Sequence, residues 1–151
     1  MDKQQDLFSS AVPDPKSMHV LEFDGSCEPN PGMMQIGFVI RDSDGDILTE
    51  ESHPLGDGTN NIAEYQALLH GLRAALDRGI QYLRVQGDSM VVIAAVNERG
   101  KRIEKRDAHI QPLLREAWNL SLRFRHIEFH HVRREFNTHA DQLSTRQWWD
   151  R

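Results

Sequence analysis

Cysteine is almost absent from this chain. Cys27 is the only one in 151 residues, so no intramolecular disulfide can form and no zinc site can be assembled from several thiolates. Long apolar runs are missing too. No stretch approaches the ~20 residues that a membrane-spanning helix needs, and no signal-peptide pattern opens the chain. No membrane association is expected, and a cytoplasmic location is. Basic excess is also lacking. The formal net charge is −5 at pH 7, which is not the signature of a generic, uniformly cationic nucleic-acid binder. There are no internal repeats and no low-complexity tracts. What remains is 38% hydrophobic and 27% charged residues. That composition belongs to an ordinary globular protein, long enough for a single domain with a real core and expected to be a monomer.

The first 17 residues are polar, contain two prolines and have no periodicity; they read as a flexible tail, with the folded domain over 18–151. Residues 19–24 alternate, placing Leu21 and Phe23 on one face and Val20, Glu22 and Asp24 on the other. The turn signal Asn30-Pro31-Gly32 follows, then a second strand over 36–40. Asp44-Gly45 reads as a hairpin turn into a third strand over 47–51. Short turns between these three make them antiparallel. Helical spacing begins at Ile62 and runs through Tyr65, Leu68, Leu69 and Leu72, with Asn61 as the expected N-cap and Gly79 as the stop.

A fourth strand contains Tyr82, Leu83 and Val85, and a short apolar helix covers 89–97. Residues 98–106 form a charged loop. Pro112 opens another helix, residues 127–132 form a fifth strand, and residues 137–143 a last short helix. Trp148 and Trp149 are expected to pack on the body. The order β-β-β-α-β-α-α-β-α predicts an α/β protein with a five-stranded mixed sheet, three antiparallel strands first and parallel ones after, flanked by helices on both faces.

Four acidic residues stand at the ends of these segments: Asp24 in FDGSCEPNPG, Glu64 in TNNIAEYQALL, Asp88 in VQGDSMVV and Asp141 in NTHADQLS. If the first and fourth strands are parallel neighbours, Asp24 and Asp88 emerge on the same sheet edge, where open α/β sheets place their sites. Carboxylates gathered so closely repel unless a hard cation lies between them, and oxygen ligands suit Mg²⁺ or Mn²⁺. Each also has a purely structural role open to it. Asp24 can start the turn into Gly25 and Ser26. Glu64 can complete a capping box with Asn61. Asp88 can cap the helix that follows it, and Asp141 can be an exposed helical charge.

The segments FDGSCEPNPG, TNNIAEYQAL, GDSMVVI and VRREFNTHADQLS resemble the signature blocks of type 1 ribonuclease H, in the right order and with compatible spacing over roughly residues 18–146. The resemblance implies the ribonuclease H-like fold, and an endonuclease that cuts the RNA strand of RNA–DNA hybrids with two divalent metals, usually Mg²⁺. It implies that Asp24 bridges both ions, with Asp141 on the nucleophile-side metal and Glu64 and Asp88 on the other. It also implies products with 5′-phosphate and 3′-hydroxyl ends. By position, Asn30, Thr59, Asn60 and Asn61 match residues that line the hybrid's minor groove, where amide groups can meet base edges and 2′-hydroxyls without sequence preference.

Two departures stand out. Many relatives carry a Trp- and Lys-rich helical protrusion that grips the DNA strand; here only the short loop from Asn97 to Arg106 corresponds, and Lys101, Arg102, Lys105 and Arg106 are its candidates for part of that work. Many relatives also place a mobile histidine before the last acidic residue. Here that loop is short, Arg134 takes the position, and His131 and His139 do not align. His126 and His130 read as polar strand positions without zinc spacing. For short-loop members a further expectation is cleavage of double-stranded RNA. Two alternatives remain: a related metal-dependent nuclease acting on another nucleic acid, and a non-catalytic nucleic-acid-binding module of the same fold.

Overall fold

The computed structural model describes Asp14 and residues 17–145. Most of the segment expected as a tail, and the pair Trp148 and Trp149, lie outside the described residues. Five strands, β1 (His19–Cys27), β2 (Gly32–Arg41), β3 (Ile47–Gly58), β4 (Tyr82–Gly87) and β5 (His126–His131), form one sheet in the order β3-β2-β1-β4-β5. The pairs β1–β2 and β2–β3 are antiparallel, whereas β1–β4 and β4–β5 are parallel. Helices α1 (Asn60–Asp77), α2 (Met90–Asn97), α3 (Gln111–Ser121) and α4 (Thr138–Thr145) complete the fold, with 3-10 turns at Ile103–Lys105 and Arg134–Phe136. The five-stranded mixed sheet and the element order are those predicted.

The alternation in β1 decides how it is packed. Leu21 and Phe23 are fully buried and join Ile36, Phe38 and Ile40 of β2 against Tyr65, Leu68, Leu69 and Leu72 of α1. Each such side chain contributes about 1.5–3 kcal/mol on burial. α1 lies close because Gly71 presents no side chain: a Cβ there would stand 2.6 Å from Leu21 Cδ1. α4 covers the opposite face, where a Cβ on Gly37 would stand 2.5 Å from Leu143 Cβ. The two close approaches hold β1 and β2 between α1 and α4.

Several boundaries differ from the sequence reading, β2 for one beginning already at Gly32, and three of the differences are informative. The N-cap of α1 is Thr59, whose Oγ1 accepts from Ile62 N at 3.2 Å; Asn61 already lies inside the helix. A run of three capping residue types makes the choice between them invisible to spacing alone. β3 continues to Gly58 instead of stopping near residue 51, because it keeps pairing with β2 as far as Gly32↔Gly58. As the edge strand it tolerates Pro54, Gly56 and Gly58. β1 likewise runs to Cys27, so Asp24 sits within it, opposite Gly37, and not at its end. The predicted stop of α1 holds: Gly79 has φ 75° and donates to Leu76 O at 2.9 Å.

Candidate active site

β1 and β4 are paired only from His19↔Leu83 to Glu22↔Gln86. Just beyond that register, Asp24 of β1 and Asp88, which follows β4, face a common opening. Gly25 lets a third element in. A Cβ on it would lie 2.2 Å from the carbonyl carbon and oxygen of Ala63, so only a glycine admits the first turn of α1 at this depth. The contact brings Glu64 in: its Oε1 accepts from Gly25 N at 3.0 Å. Glu64 therefore does not serve the capping box with Asn61; it ties the helix to the strand.

Ligating oxygens of Asp24, Glu64 and Asp88 lie within 4.8 Å of one another. Asp24 is 3% exposed and Glu64 8%. Burial is the main reason why the Asp24 carboxyl is pushed up to about 6. Burial, and then the hydrogen bond and charge of Asp24, hold Glu64 well above the usual carboxylate range. Two buried carboxyls side by side cannot both ionise at low cost, so they share a proton when no cation is present. Glu64 Oε2 is buried and has no hydrogen-bond partner. An orphaned carboxyl oxygen facing two further carboxyls fits a hard divalent cation, which would replace the shared proton, satisfy the oxygen and offset the repulsion.

The far wall comes from α4 and the turn before it. Ser144 Oγ donates to Asp24 Oδ2 at 2.6 Å. Asn137 is fully buried, and its Nδ2 donates to Phe23 O at 3.0 Å, one residue from Asp24. Asp141, one turn before Ser144, is not one of the three mutually close carboxylates, but its side chain meets Asp24 directly and is joined to Asp88 through Arg134. Arg134 Nε lies 3.7 Å from Asp88 Oδ2 and 3.6 Å from Asp141 Oδ1. All four predicted carboxylates and Arg134 thus gather around one region. Asp88 does not cap α2; Ser89 does, accepting from Val92 N at 3.3 Å. Ser144 and Asn137 were missed from sequence. For Ser144 the signal was its place three residues after Asp141, on the same helical face.

The cleft is about 480 Å³ and includes Gly25, Cys27, Asn60, Glu64, Asp88 and Arg134 in its lining. Asn60 Oδ1 accepts from Cys27 N at 2.7 Å, and Asn60 N donates to Asn30 Oδ1 at 3.2 Å. These bonds fasten the turn after β1 to the start of α1. A second, smaller groove of about 190 Å³ runs alongside, lined in part by Asn61, Tyr65, Val91, Lys105 and Arg106. Lys101, Arg102 and Lys105 are exposed. Arg106 is not free in the same way, because its guanidinium is hydrogen-bonded to Glu98.

The histidines stand elsewhere. His139 contacts Arg41 through Nδ1 at 3.1 Å and Glu50 through Nε2, which anchors α4 to β2 and β3. His126 and His130 both bond Glu128, at 2.7 and 2.8 Å, and these bonds hold the Glu128 carboxyl below the usual range. Both imidazoles are thus engaged by one carboxylate, and neither belongs to a group of three or more potential metal ligands among the described residues.

The family model described as reverse transcriptase-like matches residues 22–147. A ribonuclease HI of Halobacterium salinarum is 32% identical over 128 residues, covering 81% of this chain and 60% of that protein. The chain belongs to the type 1 ribonuclease H family. A bifunctional protein of Mycobacterium tuberculosis, Rv2228c, is 34% identical over 126 residues, 83% of this chain and 34% of its own length. The chain thus spans about a third to about three-fifths of these curated relatives. The solved N-terminal ribonuclease H domain of Rv2228c superposes with a TM-score of 0.79 at 33% identity, covering 85% of this chain and 91% of that one. LC11-RNase H1, solved in complex with an RNA/DNA hybrid, gives a TM-score of 0.75 at 28% identity over 83% of this chain and 92% of that one. After α2 the next element is the small turn at Ile103–Lys105, with no helical protrusion between them among the described residues.

Proposed function

We propose that this ribonuclease H domain is an endonuclease that hydrolyses the RNA strand of RNA–DNA hybrids, acting as a monomer in the cytoplasm. One observation carries the reading: three carboxylates converge within 4.8 Å, two of them buried, with Glu64 Oε2 left unpaired. A pure binding module has no use for so costly a cluster. Asp24, Glu64, Asp88 and Asp141 would hold the metal. Two divalent ions there, Mg²⁺ or Mn²⁺ in its place, would activate the attacking water and stabilise the leaving 3′-oxygen.

The rest of the work falls to the chain's own groups. Ser144, donating to Asp24, and Gly25 N, donating to Glu64, fix the carboxylates before substrate arrives. That preorganisation spares rearrangement during the reaction. Asn60 lines the cleft and Asn61 the smaller groove, Thr59 caps the helix that carries both, and Asn30 accepts from Asn60 N; this grouping suits contact with both strands of a hybrid in the minor groove. Lys101, Arg102 and Lys105 extend a cationic surface for the phosphates of the uncut strand, with Arg106 held beside them by Glu98. LC11-RNase H1, bound to an RNA/DNA hybrid, supports this choice of substrate. Double-stranded RNA is the second substrate considered, because the short loop leaves less protein dedicated to the DNA strand.

The test is a panel of end-labelled duplexes. An RNA–DNA hybrid should be cut at internal positions of its RNA strand, with 5′-phosphate and 3′-hydroxyl ends, while double-stranded DNA and single-stranded RNA stay intact. Preferential cutting of another nucleic acid would assign the domain to a related nuclease. Hybrid binding without any cleavage would make it a binding module.

A further inference from the structure

Arg134 alone is basic among the described residues that line the acidic cleft. It stands between two carboxylates from different elements, Asp88 after β4 and Asp141 in α4, at 3.7 and 3.6 Å from its Nε. Asp141 is also the one predicted ligand outside the Asp24–Glu64–Asp88 cluster. We infer that Arg134 acts as a built-in counter-cation that competes with a divalent ion for Asp88 and Asp141, so that the site fills unequally. This inference rests on the metal-centre reading above.

The physical argument is one of charge and exchange. A cation in the Asp24–Glu64–Asp88 cluster meets Arg134 at one ligand only, Asp88, and gains two that Arg134 does not touch, the unpaired Glu64 Oε2 among them. A cation drawn to Asp141 on the Asp88 side meets the guanidinium, which repels it and already occupies the same oxygens. The guanidinium can leave. Its side chain is 77% exposed, and both contacts lie beyond ordinary hydrogen-bond length. Exposed ion pairs of this kind are weak and easily exchanged. Once displaced, Arg134 projects from a short turn beside the cleft, where a phosphate is its natural next partner. The residue would thus keep the Asp141 side closed to metal until an ion or a substrate phosphate draws it away, which makes uptake of the second ion the step that Arg134 regulates.

The experiment counts bound ions without catalysis. Free Mn²⁺ is followed by electron paramagnetic resonance during titration of the wild type, Arg134→Ala, Asp141→Asn and the double variant, all without nucleic acid. The wild type should take up one ion more tightly than a second. Arg134→Ala should bind the second ion about two- to fivefold more tightly, the range expected when a weak ion pair no longer competes, and should leave the first less affected. Asp141→Asn should remove that gain in the double variant. Equal or weaker second-ion binding by Arg134→Ala overturns the competition while leaving the metal centre standing. No bound Mn²⁺ in any protein, wild type included, overturns the metal-centre reading itself, and the competition with it.

Discussion

The backbone N–H of Gly25 donates to Glu64 Oε1 at 3.0 Å, with the Ala63 carbonyl packed directly on the Gly25 Cα. One hydrogen bond and one missing side chain join β1 to α1 at the carboxylate cluster. Gly25→Ala should therefore be severe. The added Cβ would meet backbone atoms at 2.2 Å, and backbone cannot step aside as a side-chain tip does. A loss of about 3 kcal/mol or more is expected, read as a lower urea midpoint, with the strand-to-helix spacing and hydrolysis lost together. A variant as stable and active as the wild type would contradict the close packing.

Asp24→Asn should separate stability from activity. With no metal bound, the buried carboxyl titrates near 6 instead of at its ordinary 3.8. Ionising it at neutral pH therefore costs on the order of 1–3 kcal/mol. An amide carries no charge and can still accept from Ser144. Metal-free Asp24→Asn should accordingly melt at or above the wild-type temperature at pH 7.5. A variant that unfolds more easily than the wild type under those conditions would sink this electrostatic account.

The pH dependence follows from the same pair. Both Asp24 and Glu64 have raised folded-state values. The folded protein therefore holds protons that the unfolded chain has released. Their contribution to stability is fully present below about pH 4, where both states are protonated. It is lost as the pH rises through 6 and above. Thermal melts in EDTA should fall over that interval. Millimolar Mg²⁺ should restore more at pH 8 than at pH 5, because a cation binds the ionised form. A Mg²⁺ effect that is equal at both pH values would contradict the assignment.

Asn137 and Arg106 test two polar interactions of non-ligand residues, the first buried and the second half-buried. Asn137→Ala removes the donor to Phe23 O and should cost about 1–3 kcal/mol by leaving that carbonyl unpaired beside Asp24. Arg106→Ala breaks the pair with Glu98 and should lower stability. Neutralising Lys101, Arg102 and Lys105 should leave stability within about 0.5 kcal/mol. It should instead flatten the salt dependence of hybrid binding, by about 0.9 in log–log slope for each phosphate that is no longer neutralised. If Arg106→Ala behaved like the other three, its pairing with Glu98 would carry no structural weight.

Much of this was legible in the residue pattern, for identifiable reasons. Leu21 and Phe23 alternate with polar neighbours, and Tyr65, Leu68, Leu69 and Leu72 recur at helical spacing. Such periods report directly which face is buried, so the strands, helices and their order could be read. What escaped depends on pairing across the chain. β3 extends past Pro54 only because β2 continues beside it, and nothing within β3 itself announces that. Thr59 and Asn61 both suit a cap, and tertiary placement of α1 selects the first. At the site, the four acidic residues could be nominated one by one. Ser144 reaches Asp24 across 120 positions and Asn137 reaches Phe23 across 114; the place of Ser144 one turn after Asp141 was a local hint, whereas nothing local pointed to Asn137. Arg134 was assigned by position within a resemblance; its stance between Asp88 and Asp141 is visible only in three dimensions.

The most direct test is cleavage of an end-labelled RNA–DNA hybrid by the wild type and Asp24→Asn, side by side in Mg²⁺, Mn²⁺ and EDTA. The account predicts internal cuts confined to the RNA strand. They should require metal and be at least about a hundredfold slower in the variant, since loss of groups outside the ligand shell alone costs 10–100-fold. Cleavage that survives EDTA, or a wild-type rate from Asp24→Asn, would contradict it.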